Sequence, residues 1–142
     1  MKGVDTNVLV RYLVKDDPDQ AATVDRLISE TVADGTIIFL NHVVLCETVW
    51  VLETGYDLSR AVIADALEKL LLTQQFEFEA RANVWDALRR FRDAKADFAD
   101  FLIGAKNLAS GCDRTRTFDH GLRGEHGFEL LEAEPPSSAT AP

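Results

Sequence analysis

Four carboxylates, Asp5, Glu47, Asp100 and Asp119, stand at positions where a purely structural account has to be stretched to cover all of them. Glu47 follows Val43 by four residues and precedes Trp50 and Val51 by three and four, which places it on the apolar side of a helix. A charge buried there without partners is costly, unless it snorkels or pairs with an arginine. Asp97 precedes a helix starting near Phe98, where N-capping accounts for it, and Asp100 at the third helical position also suits the helix dipole. Phe98, Phe101, Leu102 and Ala105 cover the core side of that helix, while Asp97, Asp100, Gly104 and Asn107 share a polar stripe. Gly104, one turn along, is expected to leave the backbone accessible beside Asp100. Asp100 is therefore read as a metal ligand and Asp97 as a cap or a supporting residue. Asp5, in Asp-Thr-Asn, also has turn and cap chemistry as its alternative. As a set, hard oxygen ligands of this kind suit Mg²⁺ or Mn²⁺ rather than zinc.

The elements that position these acids follow from periodicity. Strand patterns cover residues 2–4, 36–40, 76–78, 115–118 and 128–131. Helical patterns start at Thr6, run from the Asp-Asp-Pro-Asp break to about residue 30, and cover 43–53, 59–72, 81–95 and 98–110. Ser59 is an N-cap and Gly111 a C-cap; Val62, Ile63, Ala66, Leu67, Leu70 and Leu71 make one inward stripe, and Val84, Trp85, Leu88 and Phe91 another. Strands alternating with helices argue for a three-layer α/β/α domain over residues 1–133, with a mainly parallel central sheet of about five strands. In such folds ligands bind beyond the carboxyl ends of the strands. Asp5 and Asp119 each close a strand there. Residues 134–142, rich in Pro, Ser, Ala and Thr, read as a disordered tail.

Composition narrows the function. With 142 residues, 46% hydrophobic and 27% charged, the chain makes about one domain with a single core. No apolar run approaches the roughly 18 residues a membrane span needs, and the N-terminus lacks a signal-peptide pattern, so a cytoplasmic protein is expected. Cys46 and Cys112 form no CxxC pair, and His42, His120 and His126 no zinc spacing. The net charge of −9 argues against a whole-chain phosphate-binding surface but suits hard cations or a basic protein partner. Locally, Arg114, Arg116 and Arg123 flank Asp119, a candidate RNA contact; Arg81, Arg89, Arg90, Arg92 and Lys95 line the helix before Asp97, where an ordinary solvated face is the competing reading. Trp50, Tyr56 and Leu70-Leu71-Leu72 could exceed what a small core buries and serve a dimer or partner groove, with plain core packing as the alternative.

Val4-Asp5-Thr6-Asn7-Val8-Leu9-Val10, Glu47 in the helix after the second strand, Ala96-Asp97-Phe98-Ala99-Asp100-Phe101-Leu102-Ile103 and Thr117-Phe118-Asp119 together resemble the PIN domain. More narrowly they resemble the toxin nuclease of a VapBC-type toxin–antitoxin pair, over Val4 to about Leu131. The resemblance implies a Mg²⁺- or Mn²⁺-dependent endoribonuclease, a homodimer inhibited by a cognate antitoxin, and products with a 5′-phosphate and a 3′-hydroxyl. It matches Asp5, Glu47, Asp100 and Asp119 to the metal-binding acids and Thr6 to an active-site hydroxyl, with Asn7 and Asp97 in support. The chain departs from the pattern after the last acid, where His120-Gly121 replaces a common basic residue.

Other readings fit less well. A haloacid-dehalogenase-like phosphatase would need a second Asp where Asn7 stands, and a receiver domain a late-strand Lys. A PIN-like nuclease of RNA processing and an inactive interaction module are the remaining alternatives; a binding surface, however, has no reason to keep carboxylates in mutual repulsion.

Overall fold

The computed structural model describes residues 1–132; the expected domain end at residue 133 and the tail 134–142 lie outside the described residues. β1 (Lys2–Gly3) leads into α1 (Thr6–Leu13), α2 (Pro18–Ala33), β2 (Ile38–Leu40), α3 (His42–Thr54) and α4 (Arg60–Leu71). β3 (Phe76–Phe78), α5 (Arg81–Asp93), α6 (Phe98–Ala109), β4 (Thr115–Thr117), a 3-10 turn (His120–Leu122) and β5 (Phe128–Leu130) follow within the described residues.

Helix starts follow local chemistry. Asp17, Asn41 and Ser59 each accept a first-turn backbone N–H, and Pro18, which has no N–H to lose, opens α2. α6 stops at Ser110, followed by Gly111 at φ +96°, a conformation in which glycine has no Cβ to clash.

Among the described residues five strands form and every pairing is parallel, as the alternation predicts. Hydrogen bonding divides them into two ladders: β1-β2-β3, with Lys2 opposite Ile38 and Ile38 opposite Phe76, and β4-β5, with Thr115 opposite Phe128. Because β1 and β2 run parallel, their carboxyl ends share one edge. Asp5 and Asn41, which start α1 and α3, therefore sit on the same side of the sheet.

The core draws on the sheet (Ile38, Leu40, Phe76 and Phe78) and on helices α3 to α6. Phe91, Phe98 and Phe101 are fully buried, and Phe91–Phe98 and Phe101–Phe128 meet edge to face at 6.1 and 6.2 Å. Gly104 is buried in this layer. A Cβ there would lie 2.5 Å from Phe128 Cζ, so glycine is what lets β5 close onto α6. This corrects the expectation that Gly104 exposes backbone beside Asp100.

Two apolar stripes also need correction. α4 buries Ile63, Ala64, Leu67, Leu70 and Leu71, which turns Val62 out to 50% exposure and leaves Ala66 half-buried; Trp85 on α5 is likewise half-buried. At 100° per residue, a stripe wide enough to include both Val62 and Ala64 exceeds the face one neighbouring layer can cover. The arginines of α5 are mostly struts. Arg81 donates to the Leu71 and Phe76 carbonyls, Arg90 to the His126 carbonyl while lying 4.9 Å from the Phe101 ring, and Arg92 to Asp65 and Glu68. Arg89 pairs with Asp86 one turn before it.

Candidate metal centre

Asp5 is the N-cap of α1. Its Oδ1 accepts the Val8 N–H at 3.1 Å, so the cap chemistry anticipated for Asp-Thr-Asn is present. Capping uses one oxygen; Oδ2 has no hydrogen-bond partner among the described residues. The residue is exposed, at the carboxyl edge of β1.

Glu47 reaches the same edge from α3, because the adjacent Thr6 donates its hydroxyl to Glu47 Oε1 at 3.0 Å. This bond ties the first turn of α1 to the middle of α3. Glu47 does not lie on a buried apolar side, as its neighbours in sequence had suggested. Glu47 is exposed, and so are the apolar neighbours that defined its supposed buried side, Val43 at 67% and Trp50 at 65%. α3 is apolar on two faces; the buried one carries Val44, Leu45, Val49 and Leu52, and Glu47 lies on the other.

Asp100 is half-buried on α6, with Asp97 at the N-cap position. Asp100 Oδ2 accepts the Asp97 backbone N–H at 3.2 Å, so one oxygen caps the helix while Oδ1 has no partner among the described residues. Burial pushes the Asp100 carboxyl above the usual carboxylate range; the nearby charges of Asp97 and Asp119 push the same way, against the lowering effect of the Asp97 N–H. Asp119 follows β4 and caps the 3-10 turn, its Oδ1 accepting the Gly121 N–H at 2.8 Å. Burial raises the thiol of Cys46, the residue before Glu47; Lys106 opposes this and the Asp100 charge adds to it. Two links thus join parts of the site: Thr6 to Glu47, and Asp100 to both Asp97 and Asp119.

The donor set fits a hard divalent cation. Each of the four carboxylates is anchored through one oxygen and keeps the other free. No Lys or Arg pairs with any of them among the described residues. Among those residues, no three His, Cys, Asp or Glu side chains are grouped tightly enough to hold an ion as they stand. The anchoring oxygens therefore belong to the fold, and the free ones would have to swing together on an ion. Oxygen-only donors point to Mg²⁺ or Mn²⁺.

The arginines near Asp119 are less available than the sequence suggested. Arg116 pairs with Asp113 and Glu129 at 2.8 and 2.9 Å, and Arg123 with Glu132 at 2.8 Å. Arg114 is exposed and forms no ion pair among the described residues.

Three features escaped the sequence reading. Glu53, half-buried on α3, has its carboxyl raised by burial and by the charge of Asp97, with Arg60 opposing, so a further acid borders the cluster beside Asp97. His42, 4% exposed, bonds the Glu79 carbonyl at 2.6 Å and Lys106 Nζ at 3.0 Å, while Lys106 pairs with Glu79 at 2.9 Å. That triad locks the start of α3 to α6. Nothing in the spacing of residues 42, 79 and 106 announces it, since the contacts are made only in three dimensions. Third, a groove of about 360 Å³ runs from Asp5 between α1 and α2.

Residues 3–124 match the PIN domain family. The chain is also 26% identical over 131 residues to a protein of Aquifex aeolicus named VapC ribonuclease, a match covering 92% of this chain and 96% of the relative.

Proposed function

This chain belongs to the PIN domain family, and from that premise we propose that it is a Mg²⁺- or Mn²⁺-dependent endoribonuclease, the toxin of a toxin–antitoxin pair. The observation that carries the proposal is the set of four anchored carboxylates, each with a free oxygen and none matched by a Lys or Arg among the described residues. The ribonuclease named as its Aquifex aeolicus relative spans almost the same length and supports RNA as the substrate.

Asp5, Glu47, Asp100 and Asp119 would hold the ion, and Asp97 supports Asp100 through its backbone N–H. When bound, a divalent cation supplies an acidified water and neutralises charge on the scissile phosphate. Thr6 holds Glu47 at its working angle, since its proton is committed to Oε1 and its lone pairs stay open to a water or a phosphate oxygen. Asn7, beside it and exposed, offers an amide to the same oxygens. Arg114 is the arginine best placed to meet the RNA backbone near Asp119, with Arg116 and Arg123 available only if their ion pairs open. The reaction leaves a 5′-phosphate and a 3′-hydroxyl.

The test is cleavage of single-stranded RNA by the purified protein with Mn²⁺ and with excess chelator, followed by mapping of the ends. Mn²⁺-dependent cuts bearing 5′-phosphates are expected; chelator-resistant cuts or intact RNA would overturn the assignment.

An antitoxin and a second copy of the chain are the proposed protein partners. Val43 and Trp50, both on the outer face of α3, offer apolar surface for self-association, whereas Leu70, Leu71 and Tyr56 serve the core and an internal hydrogen-bond network. Trp50→Glu is expected to lower the mass seen in sedimentation; an unchanged mass would remove this face from the dimer. No helix among the described residues is long and apolar enough to cross a membrane, in keeping with a proposed cytoplasmic site of action.

A further inference from the structure

We infer that Arg60 is a positioning residue of the metal centre: it holds the Ala96–Asp97 peptide so that the Asp97 N–H aims Asp100 at the ion. The inference deepens the nuclease reading and rests on it, because Asp100 is a ligand only if that reading holds.

Residues 94–97, which lead into α6, belong to no helix or strand, so no regular ladder fixes the backbone against which Asp100 leans. Arg60, at the start of α4, fixes it instead. Its Nε donates to the Phe91 carbonyl at 3.0 Å and its Nη2 to the Ala96 carbonyl, with the guanidinium 4.0 Å from the Phe91 ring. Two acceptors and a ring face confine a planar fork to one orientation.

The Ala96 carbonyl and the Asp97 N–H are the two ends of one peptide unit. That unit is planar and trans, so its oxygen and its hydrogen point in opposite directions. Holding the oxygen on Arg60 sets where the hydrogen points. It points at Asp100 Oδ2, 3.2 Å from the Asp97 nitrogen, and leaves Oδ1 for the ion. A cation on the carbonyl also polarises the unit and strengthens its N–H as a donor. The same residue backs the second acid-bearing turn. Ala96 is 3% exposed, and a Cβ on Gly121 would lie 3.6 Å from its nitrogen and 3.1 Å from Asp119 Oδ1. A shift of Ala96 would therefore disturb the Asp119 turn as well.

A residue that merely braced α4 against α5 would look different. Arg92 is such a brace, reaching from α5 to Asp65 and Glu68 on α4, and it makes a fair control.

The experiment compares the native chain, Arg60→Met and Arg92→Met by the Asp97 amide resonance without metal, the Kd for Mn²⁺, and RNA cleavage across Mn²⁺ concentrations. Methionine keeps an apolar chain for the Phe91 ring and removes the donors. In Arg60→Met the Asp97 amide proton is expected to move upfield as its bond loosens. Its Kd for Mn²⁺ is expected to rise about tenfold, the lower end for a residue that orients a ligand. Cleavage should fall at limiting Mn²⁺ and recover at saturating Mn²⁺. Arg92→Met is expected to match the native chain in all three. A native Asp97 amide or a native Kd in Arg60→Met, or equal changes in the two variants, would overturn the inference and leave the nuclease reading intact. If the native chain neither binds Mn²⁺ nor cuts RNA, both readings fall, and the native measurements alone show it. If Arg60→Met does not fold, the native chain is titrated with Mg²⁺ instead. The Arg60 Nη and Asp97 amide resonances are then expected to shift with one midpoint, and any other pattern would overturn the inference.

Discussion

Replacing Asp100 with asparagine separates a metal ligand from a helix cap, because the two roles predict opposite signs. The carboxamide keeps an oxygen to accept the Asp97 N–H, now at 3.2 Å, so the cap survives. The lost negative charge was unfavourable in the metal-free fold, where burial and the charges of Asp97 and Asp119 all raise the Asp100 carboxyl. The variant without metal should therefore be as stable as the native protein or slightly more so. Adding Mn²⁺ reverses the order. At a concentration a hundredfold above its Kd, the ion stabilises the native fold by about 2.7 kcal/mol. For a chain of this size, at about 3 °C per kcal/mol, that raises Tm by about 8 °C. If losing one ligand weakens binding about a hundredfold, the same Mn²⁺ concentration stabilises the variant by only about 0.4 kcal/mol, roughly 1 °C. Thermal melts of both proteins with Mn²⁺ and with chelator read this directly. Cleavage of RNA by the variant should fall by about a hundredfold or more, the scale for losing one transition-state contact. An unchanged Mn²⁺ shift together with undiminished cleavage would refute the assignment, and a variant already unstable without metal would show that the Asp100 charge favours the metal-free fold, against the reasoning from its surroundings.

Thr6→Val removes the hydroxyl that holds Glu47 at 3.0 Å and should lower RNA cleavage about tenfold with little change in Tm, while Thr6→Ser restores it. Equal activity in the Val and Ser variants would mean that the bond does not matter to the reaction. Gly104→Ala should cost about 1–3 kcal/mol in chemical denaturation despite the better helix propensity of alanine, because its Cβ would stand 2.5 Å from Phe128 Cζ; a stabilised variant would show that β5 moves aside freely. For His42, burial holds the imidazole below its ordinary value of 6.5; Lys106 adds to this and Glu79 opposes it. With the folded value depressed, its contribution to stability is intact above pH 6.5 and is lost as the pH falls from there through the folded value. Glu79 is itself depressed, first by its bond from the His42 N–H and then by Lys106, and its own contribution is lost only below about pH 4.5. The Tm of His42→Gln should thus be lower at pH 7.5 by the loss of a buried hydrogen bond but fall less between pH 7 and 5; parallel slopes would exclude His42 as the titrating group.

Much of the architecture was legible in the chain itself. Ser59 and Asp97 stand where helices begin, and the alternation of strand and helix patterns led to parallel pairing, because caps and periodicity act over a few residues. The order of Asp5, Glu47, Asp100 and Asp119 along those elements was also enough to resemble a PIN domain, and that family matches residues 3–124. What the sequence could not fix was direction. α3 is apolar on two faces, so only packing against α1 and the core decides that Val44 and Leu45 turn inward and that Glu47 faces out beside Val43 and Trp50. The same holds for Gly104, whose function depends on a phenylalanine 24 residues away. Arg81, Arg90 and Arg116 read as free positive charge until tertiary contacts supply carbonyls and carboxylates that consume them. The four acids were visible one at a time. Their anchored and free oxygens are set by neighbours brought in by the fold, including the hydroxyl of Thr6, 41 residues from Glu47, because hydrogen-bond geometry between distant segments has no local signature.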